Sequence, residues 1–562
     1  MRYLRFYKND ADFKTHEEEA GGTGNDVESV VPGIVKTLDE RKMYFNPHDK
    51  EIRFHTLTIN YKKHSGESLA QSSTKSIKYI PGVKEEIVVT PENIEGYVPK
   101  ENKKTVIIPT DSVVDFIYSP VLDPSKPLTF KIISGGTINW INSITYEGRT
   151  ISYSKDMGET WTDIVSTTGT GKVINVISGD IVMFKGDNIT YATTISNHDR
   201  FGSVSAKFEV EGNIMSLINS TDFQTATTIA SNYTFYCLFR DCTGLTSTEK
   251  LVLPATTLAD NCYNSMFAGC RSLTTAPELP ATALTSYCYY GMFSGCTSLI
   301  TAPSVIPATT LKRLCCYHMF QNCTSLTTAP ELPSTTLANS CYSDMFAGCT
   351  SLTTAPVLPA TTLADNCYNS MFAGCRSLTT APELPATTLA SGCYDSMFSG
   401  CTSLTTAKEL PATKLASYCY SDMFNNCKSL ITAPALPATT LVDGCYLGMF
   451  EGCTSLTSAP SILPATALTN YCYQNMFNGC TSLITAPELP AATLRYQCYY
   501  QMFLGCTSLN YIKCLATNIS ASNCTYNWVN GVSSTGTFVK KSGVTWPKGN
   551  DGIPRGWTVE EE

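Results

Sequence analysis

Apolar and small polar residues follow a fixed order in a unit that recurs from Asn261 to Gln501. The unit reads C-Y-x-x-M-F-x-x-C-x-S-L-x-x-A and usually continues as P-x-L-P-A-T-x-L. Its methionine recurs every 26 residues, and twice after 27, at Met266, Met292, Met319, Met345, Met371, Met397, Met423, Met449, Met476 and Met502. Coils of this length bury their apolar side chains by stacking on copies of themselves. The pattern predicts a solenoid in which equivalent residues lie over one another.

The prolines of the unit mark a corner of the coil. Pro277 and Pro280 lack the amide N–H that a strand ladder needs, and the two longer coils carry their extra residue in the same stretch, at 302–307 and 459–464. A turn accepts an extra residue more readily than a paired strand does. We expect the inside of one coil to contain Leu273, Ala276, Leu279, Leu284, Cys288, Met292 and Phe293.

The motif Met-Phe-x-Gly-Cys-x-Ser-Leu, followed by Leu-Pro-Ala-Thr-x-Leu, resembles the BspA-like, treponemal-type branch of the leucine-rich repeats. The resemblance extends from a divergent first repeat at 236–242 to a degenerate last one around Cys524 and Trp528. It implies coils that pair a short strand with a short helical or irregular segment. It also implies binding, because members of this family are mostly surface adhesins and virion proteins of the gut microbiota.

The residues before the repeats predict further β structure. Between 121 and 211, short β segments at 128–133, 150–153, 172–176 and 181–184 are separated by turn residues, which favours a small β-sandwich. Residues 1–120 are richer in charged positions than the rest of the chain and alternate strands such as 51–61 with linkers such as 17–24, which predicts a separate β-rich attachment domain. Its opening, 1–7, resembles the start of virion proteins from phages of gut Bacteroidetes.

The predicted domains are thus 1–120, an attachment domain; 121–211, a β-sandwich; 212–530, the solenoid; and 531–562, a C-terminal cap. The last segment replaces the repeat with aromatic and turn residues. A cap of this kind covers the exposed core layer and the unpaired strand edges of a solenoid end. The predicted fold class is mainly β, with short helical segments in the coils.

Residues 154–161 resemble the Asp-box hairpin of sialidase propellers, which implies structural roles for Ser154, Asp156, Gly158, Thr160 and Trp161. The aspartate and glycine shape the turn, and the tryptophan packs beneath it. A catalytic propeller would need several such boxes and an arginine cluster. A sialidase-like glycan hydrolase is therefore a distant alternative.

No other candidate for catalysis stands out. Asp156 and Glu159 could form a carboxylate pair, but both belong to the hairpin, and His198 lies in a turn-like stretch where we expect a surface residue. We predict a protein that is not an enzyme and that has no catalytic residues and no cofactor.

The net charge of −8 and the pI near 5.4 disfavour a nucleic-acid partner. No stretch has the length and hydropathy of a membrane span, and the opening residues do not resemble a signal peptide. This beginning favours a protein assembled in the host cytoplasm and released with a virion over one that is secreted.

All 25 cysteines lie between Cys237 and Cys524, mostly in two columns. Free cysteine packs well as a small buried hydrophobic residue, so we predict a ladder of buried thiols, with disulfides as the alternative. No C-x-x-C motif occurs, and His318 is the one histidine of the repeats. We therefore predict no metal site.

The best candidate for a binding surface is the set of positions between the tyrosine and the methionine of each unit, which vary while the frame is constant. The predicted ligand-binding residues are Tyr290, His318, Asp344, Asn369, Asp395, Asp422, Gln474 and Tyr500. A solvent-exposed row without a ligand is the alternative. The tyrosine column that begins at Tyr263 should be half-buried with exposed hydroxyls, and the threonine column that begins at Thr275 should be ordinary strand surface.

These features lead to the hypothesis of a non-enzymatic virion protein, a fibre or appendage. Its N-terminal domain would bind other virion proteins, and its repeats would bind a glycan or protein of the host surface. The expected location is the virion, without membrane insertion, and a homo-oligomer is compatible with this role. The main alternative is a bacterial cell-surface adhesin.

Overall fold

A computed structural model describes residues 35–36, 42–43, 53–63, 68–79, 84–95, 97–108, 110–144, 148–203 and 205–562. The chain is mainly β, as predicted, and divides into two compact units, Met1–Ser119 and Pro120–Glu562. The opening 1–7 and the linker 17–24 lie outside the described residues.

The first unit is built from β-sheets. Its strands are β1 (Val35–Lys36), β2 (Lys42–Met43), β3 (Arg53–Lys63), β4 (Ser68–Tyr79), β5 (Glu85–Val89), β6 (Tyr97–Pro99), β7 (Lys104–Ile108) and β8 (Val113–Pro120). The order β4-β3-β8-β6 forms one sheet, and β1–β2 and β5–β7 form two-stranded sheets. Every second residue of β3, namely Leu57, Ile59 and Tyr61, is buried, because side chains alternate between the faces of a strand.

The second unit begins with a β-sandwich. Its strands are β9 (Leu128–Ser134), β10 (Gly136–Asn142), β11 (Thr150–Ser154), β12 (Thr162–Val165), β13 (Lys172–Val176), β14 (Ile181–Lys185), β15 (Ala192–Thr194), β16 (Asn197–Gly202), β17 (Lys207–Asn213) and β18 (Leu245–Val252). One sheet has the order β12-β11-β14-β9-β17-β18 and the other β13-β10-β16-β15. Phe130 of the first sheet and Phe201 of the second have ring centroids 5.0 Å apart in the core between the two sheets.

The sandwich and the repeats share one core. Strand β18 comes from the first repeat and pairs in parallel with β17, and Phe201 stacks on Phe239 at 5.4 Å. The predicted boundary at residue 211 therefore falls inside a continuous sheet.

Each repeat follows a path of successive turns. In the coil at 261–270, the amides of Tyr263, Ser265, Phe267 and Gly269 donate to carbonyls of the next coil, at distances of 2.8–3.1 Å. The amides between them donate to the carbonyl three residues earlier in the same coil. The prediction of short helical segments in the coils was wrong. Among the described residues the one helical element is a 3-10 helix, η1 (Ile214–Leu217), which precedes the regular coils.

This path places every fourth residue in the left-handed region. In the same coil, φ is 59° at Asn261, 54° at Ser265 and 73° at Gly269, and the equivalent residues of the other coils repeat these values closely. Glycine, asparagine and aspartate tolerate this region best. The backbone thus explains much of the small polar composition of the unit.

Equivalent side chains stack in buried columns, and the seven predicted interior residues, Leu273 to Phe293, are all buried. From Phe267 to Phe503 the phenylalanine rings lie 5.4–5.7 Å apart and nearly parallel. Threonines form single parallel bridges between successive coils, as between the exposed Thr380 and Thr406. Because every coil makes the same contacts, the register is repeated from one end of the array to the other.

All 25 cysteines are buried free thiols, as predicted. In one column the thiol donates to the phenylalanine carbonyl of the preceding coil, as Cys296 Sγ does to Phe267 O at 3.0 Å. Burial raises the pKa of Cys401 in this column to about 12. The column therefore adds hydrogen bonds to the apolar packing.

The C-terminal segment continues the stack as a parallel sheet of β19 (Tyr511–Cys514), β20 (Thr537–Lys540) and β21 (Thr558–Glu561). Trp528 ends the aromatic column and stacks on Trp546 at 5.6 Å. Its Nε1 donates to Gly552 O at 2.9 Å. These contacts cover the core layer of the last repeat.

Candidate functional site

The predicted ligand-binding row divides into two neighbouring columns. The first turn column is Asn264, Tyr290, Tyr317, Ser343, Asn369, Asp395, Ser421, Leu447, Gln474, Tyr500 and Tyr526. The second turn column is Ser265, Gly291, His318, Asp344, Ser370, Ser396, Asp422, Gly448, Asn475, Gln501 and Asn527. We call the two columns together the turn face. The eight predicted residues all belong to it, five in the first column and three in the second.

The two columns differ in backbone conformation. The second column has positive φ throughout, with 57° at His318, 53° at Asp344 and 50° at Asp422. Its residue types are therefore restricted by the backbone, which disfavours branched and bulky side chains there. The first column has no such restriction and carries the wider range of side chains, from serine to tyrosine.

The eight predicted residues are half-buried, which leaves part of each available to a partner. The neighbouring tyrosine column was expected to have exposed hydroxyls, and the structure differs from this expectation. Tyr263, Tyr342 and Tyr394 are 1% exposed, and their hydroxyls are buried as well. That expectation was wrong, because the tyrosine rings stack into the core and only the positions after them face outward.

Three aromatic rings form a cluster at the N-terminal end of the turn face. Tyr290 stacks on Tyr317 at 5.1 Å, and Tyr317 stacks on His318 at 3.8 Å. His318 Nε2 lies 3.4 Å from Asp344 Oδ2, and these two side chains are 25% and 21% exposed. We call Tyr290, Tyr317, His318 and Asp344 the aromatic cluster.

A chain of polar contacts continues from the aromatic cluster along the following coils. Asn369 Nδ2 donates to Asp395 Oδ2 at 3.2 Å, and Ser396 Oγ donates to Asp395 Oδ1 at 3.0 Å. Asp422 Oδ2 accepts from Ser421 Oγ at 3.1 Å in the next coil. Each carboxylate keeps further acceptor capacity, since a carboxylate can accept about four hydrogen bonds.

Two acidic groups of this region, Asp395 and Glu451, have raised pKa values. Burial raises the pKa of Asp395 to about 6, and the charge of Asp422 adds to the shift, against hydrogen bonds that lower it. Burial also raises the pKa of Glu451, and Asp422 contributes again. Both turn columns lack lysine and arginine. The middle of the turn face is thus an acidic strip without a basic counterpart in its own columns.

The C-terminal end of the turn face is again aromatic. Tyr500 stacks on Tyr526 at 5.2 Å, and Tyr526 is 43% exposed. Gln474 lies between this pair and the acidic strip, with its Oε1 buried. The two columns therefore carry rings at both ends and polar groups between them.

The Asp-box residues are all used within their own hairpin. Asp156 Oδ1 accepts from Ser154 Oγ at 2.6 Å and from the amide of Thr160 at 2.9 Å, and these hydrogen bonds lower the pKa of Asp156. Gly158 has φ of 95°, and its carbonyl accepts from Trp161 Nε1 at 3.0 Å. Lys185 Nζ lies 4.3 Å from the ring centroid of Trp161. The geometry is that of a turn held by side chains.

The expectation that His198 lies on the surface was wrong. It is buried beside Tyr236, with ring centroids 5.7 Å apart, and burial lowers its pKa to about 4. Its neighbour Asp199 is completely buried and bonded to Arg149, Ser166 and, at 2.8 Å, Asn142. This charged network ties β10, β16 and the loop before β11 together, and the local sequence contains no signal for it.

Within the described ranges, no three His, Cys, Asp or Glu side chains are arranged to hold a metal ion. The same part of the chain contains no helix long and apolar enough to cross a membrane. In comparisons with known proteins, no family model and no curated protein matches the chain.

Sequence reasoning missed Tyr317, which the row of predicted residues skips although its ring completes the aromatic cluster. The missed signal is that small or polar residues recur every four positions within the coil, as at Asn261, Ser265 and Gly269. That period separates the two turn columns and would have placed Tyr317 beside Tyr290.

Proposed function

We propose that this chain is a non-enzymatic recognition protein, a leucine-rich repeat solenoid of the BspA-like type whose turn face contacts a molecule on a host surface. The observation that carries the proposal is the contrast between columns. The phenylalanine, methionine and cysteine columns are nearly invariant and buried, whereas the turn columns beside them vary and are mostly half-buried. A repeated frame that presents varied side chains over a long surface suits recognition.

The geometry of the repeats supports the leucine-rich repeat part of the proposal. Parallel bridges recur at equivalent positions of successive coils, and leucines such as Leu273 and Leu299 lie at equivalent buried positions. The non-enzymatic part is supported by the hydrogen bonds within the Asp box. The carboxylate of Asp156 accepts hydrogen bonds from Ser154 and Thr160 of its own turn.

We further propose that the protein is carried on a virion as a fibre or appendage, with the unit Met1–Ser119 bound to other virion proteins. Mass spectrometry should find the chain in purified particles. Its recovery from fractionated outer membrane without particles would instead favour a cell-surface adhesin. Release of the fluorophore from a fluorogenic sialoside by the full chain would contradict the non-enzymatic proposal.

Recognition by the turn face is tested by competition for adsorption. Purified full-length chain should reduce the adsorption of intact particles to host cells. The double variant D395S/D422S places in two coils the serine that other coils carry at the same positions, as at Ser343 and Ser370, so the coils should fold. We expect this variant to compete at least about tenfold less well, by analogy with the loss of a few central interface contacts.

The matched control is Thr406→Ser, a change in the outer threonine column, where Ser458 occurs naturally. It should compete as well as the unchanged chain. Equal competition by the control and the double variant, or no competition by the unchanged chain, would contradict recognition by the turn face.

A further inference from the structure

The aromatic cluster lies outside the hydrophobic core. The core of the second unit includes the buried Tyr289, but Tyr290, Tyr317 and His318 are half-buried rings on the adjacent outer positions. Tyr290 stacks on Tyr317 at 5.1 Å and Tyr317 on His318 at 3.8 Å, so the rings cover part of one another and offer their remaining half-buried apolar surface next to the carboxylate of Asp344. Aromatic rings beside a hydrogen-bonding group combine apolar contact with a polar edge. That combination matches a sugar ring, whose C–H groups form an apolar face and whose hydroxyls surround it.

The acidic strip, which begins at Asp344 of the aromatic cluster, has the chemistry to bind hydroxyl groups. Asp344, Asn369, Asp395 and Asp422 lie in coils four to seven along the array and are half-buried, so each offers oxygen acceptors in partly dry surroundings. Hydrogen bonds to an ionised acceptor are roughly twice as strong as neutral ones. Carboxylates accept hydrogen bonds from hydroxyl groups and repel other anions.

The charge of the strip selects among glycans. Neither turn column contains lysine or arginine, and burial and mutual repulsion already oppose ionisation of Asp395. A sialylated or uronate-rich chain would bring carboxylates against this strip, where neither turn column supplies a lysine or arginine to compensate. An uncharged glycan brings only hydroxyl donors and acceptors.

The direction and spacing of the site favour a linear chain. Successive coils are linked by backbone hydrogen bonds and parallel bridges, and equivalent rings recur at distances such as 5.1 Å between Tyr290 and Tyr317 and 5.7 Å between Phe372 and Phe398. One pyranose residue of an extended polysaccharide spans a similar length. Each sugar can therefore meet one coil.

We propose that the turn face binds a linear, uncharged polysaccharide, with one pyranose ring packed against the exposed part of Tyr290, Tyr317 and His318 and the hydroxyls of the following sugars bound by Asp344, Asn369 and Asp395. This inference rests on the proposed function, because it names the ligand class of the same surface. It differs in requiring a sugar, whereas recognition of a host protein would satisfy the proposed function alone.

The test uses the full-length chain and an array of neutral hexasaccharides (glucan, mannan, galactan and chitin types), with sialylated and uronate oligosaccharides on the same array. We expect binding to at least one neutral chain and none to the anionic ones. The double variant Y290S/Y317S restores the serine that Ser343 and Ser421 provide in other coils, so it should fold. Its affinity should fall about tenfold or more, from the loss of two stacking rings.

The matched control is Tyr418→Asn, which removes a 43% exposed tyrosine outside the turn columns and introduces the residue found at Asn366. It should leave binding unchanged, and an unchanged melting temperature for all variants excludes misfolding. Binding of anionic glycans alone, or equal affinity of Y290S/Y317S and the unchanged chain, would overturn the inference. If every glycan fails while adsorption competition persists and is lost on protease treatment of the host, the ligand is a protein. The glycan inference is then wrong and the proposed function stands.

Discussion

The sandwich and the repeats of the second unit bury their aromatic residues in different ways. In the sandwich, rings from distant strands meet at varied angles, such as 66° between Phe130 and Phe201. In the repeats, rings 26 or 27 residues apart are nearly parallel, such as 2° between Phe372 and Phe398. The core of the sandwich packs many different side chains together once, whereas the core of the repeats uses the same packing arrangement in every coil.

The two regions also differ in buried charge. The sandwich contains the buried ion pair of Arg149 and Asp199, whereas the repeats bury thiols, phenylalanines and tyrosines. A buried charge needs specific partners, which the sandwich can supply because each of its residues is used once. A repeated coil would place such a charge next to its own copy. The repeats instead keep their carboxylates at half-buried or exposed positions, such as Asp344 and Asp395 on the turn face and Glu278 and Glu383 outside it.

The largest effect should come from breaking the charge network of the sandwich. Asp199→Ala leaves Arg149, Ser166 and Asn142 without their common partner, and we expect a loss of about 3–5 kcal/mol in the free energy of unfolding. Chemical denaturation followed by tryptophan fluorescence measures it. Asp199→Asn retains the size and one acceptor and should lose less. A loss below about 1 kcal/mol for the alanine variant would show that the network is not a determinant of stability.

A ring removed from the middle of the phenylalanine column should have a similar or slightly smaller effect. Phe372→Ala removes two stacking contacts and leaves a cavity, with an expected cost of about 3–5 kcal/mol. Because each coil contacts only its neighbours, hydrogen exchange should accelerate mainly in the coils on either side. Phe372→Leu is the size-matched control. Uniform acceleration across the sandwich as well would contradict the local character of the repeat contacts.

Substitutions at residues in the left-handed region should have the next largest effect on the free energy of unfolding. Gly374 has φ of 72°, and a Cβ there would meet only ordinary contacts with Gly348, so Gly374→Ala tests the conformation itself. We expect a loss of about 1–2 kcal/mol in the free energy of unfolding. Ser370→Gly, at another left-handed position of the same coil, should be neutral or stabilising. Equal losses from both changes would argue against a backbone cause.

The smallest effect concerns pH. The pKa of Asp395 in the folded chain, about 6, is above its ordinary value, so folding favours the protonated form. Stability should therefore rise as the pH falls from 7 to 4.5, because the folded state takes up this proton before the unfolded state does. Asp395→Asn should remove that part of the pH dependence and stabilise the chain at pH 7.5 by about 1 kcal/mol or less. Denaturation of both proteins at pH 7.5 and 5 tests this, and an unchanged pH slope would contradict it.

The repeat pattern by itself determined which residues of a coil are inside. Phe267, Met292 and Cys296 recur with identical neighbours, and stacking is the arrangement that buries all copies at once. The alternation of apolar and polar residues likewise predicted strands at 150–153 and 172–176, where the structure has β11 and β13. These predictions rest on the regular spacing of apolar residues, and that spacing can be recognised in a single sequence.

Only the tertiary structure decided the backbone conformation of the coils and which side chains lie against one another. The turns replace the expected helical segments because alternate amides, such as those of Tyr263 and Phe267, find their carbonyls in the next coil, which no local pattern specifies. The burial of His198 likewise depends on Tyr236, which is distant in sequence. The turn face itself depends on the left-handed residues of each coil, because these divide one apparent row of side chains into two.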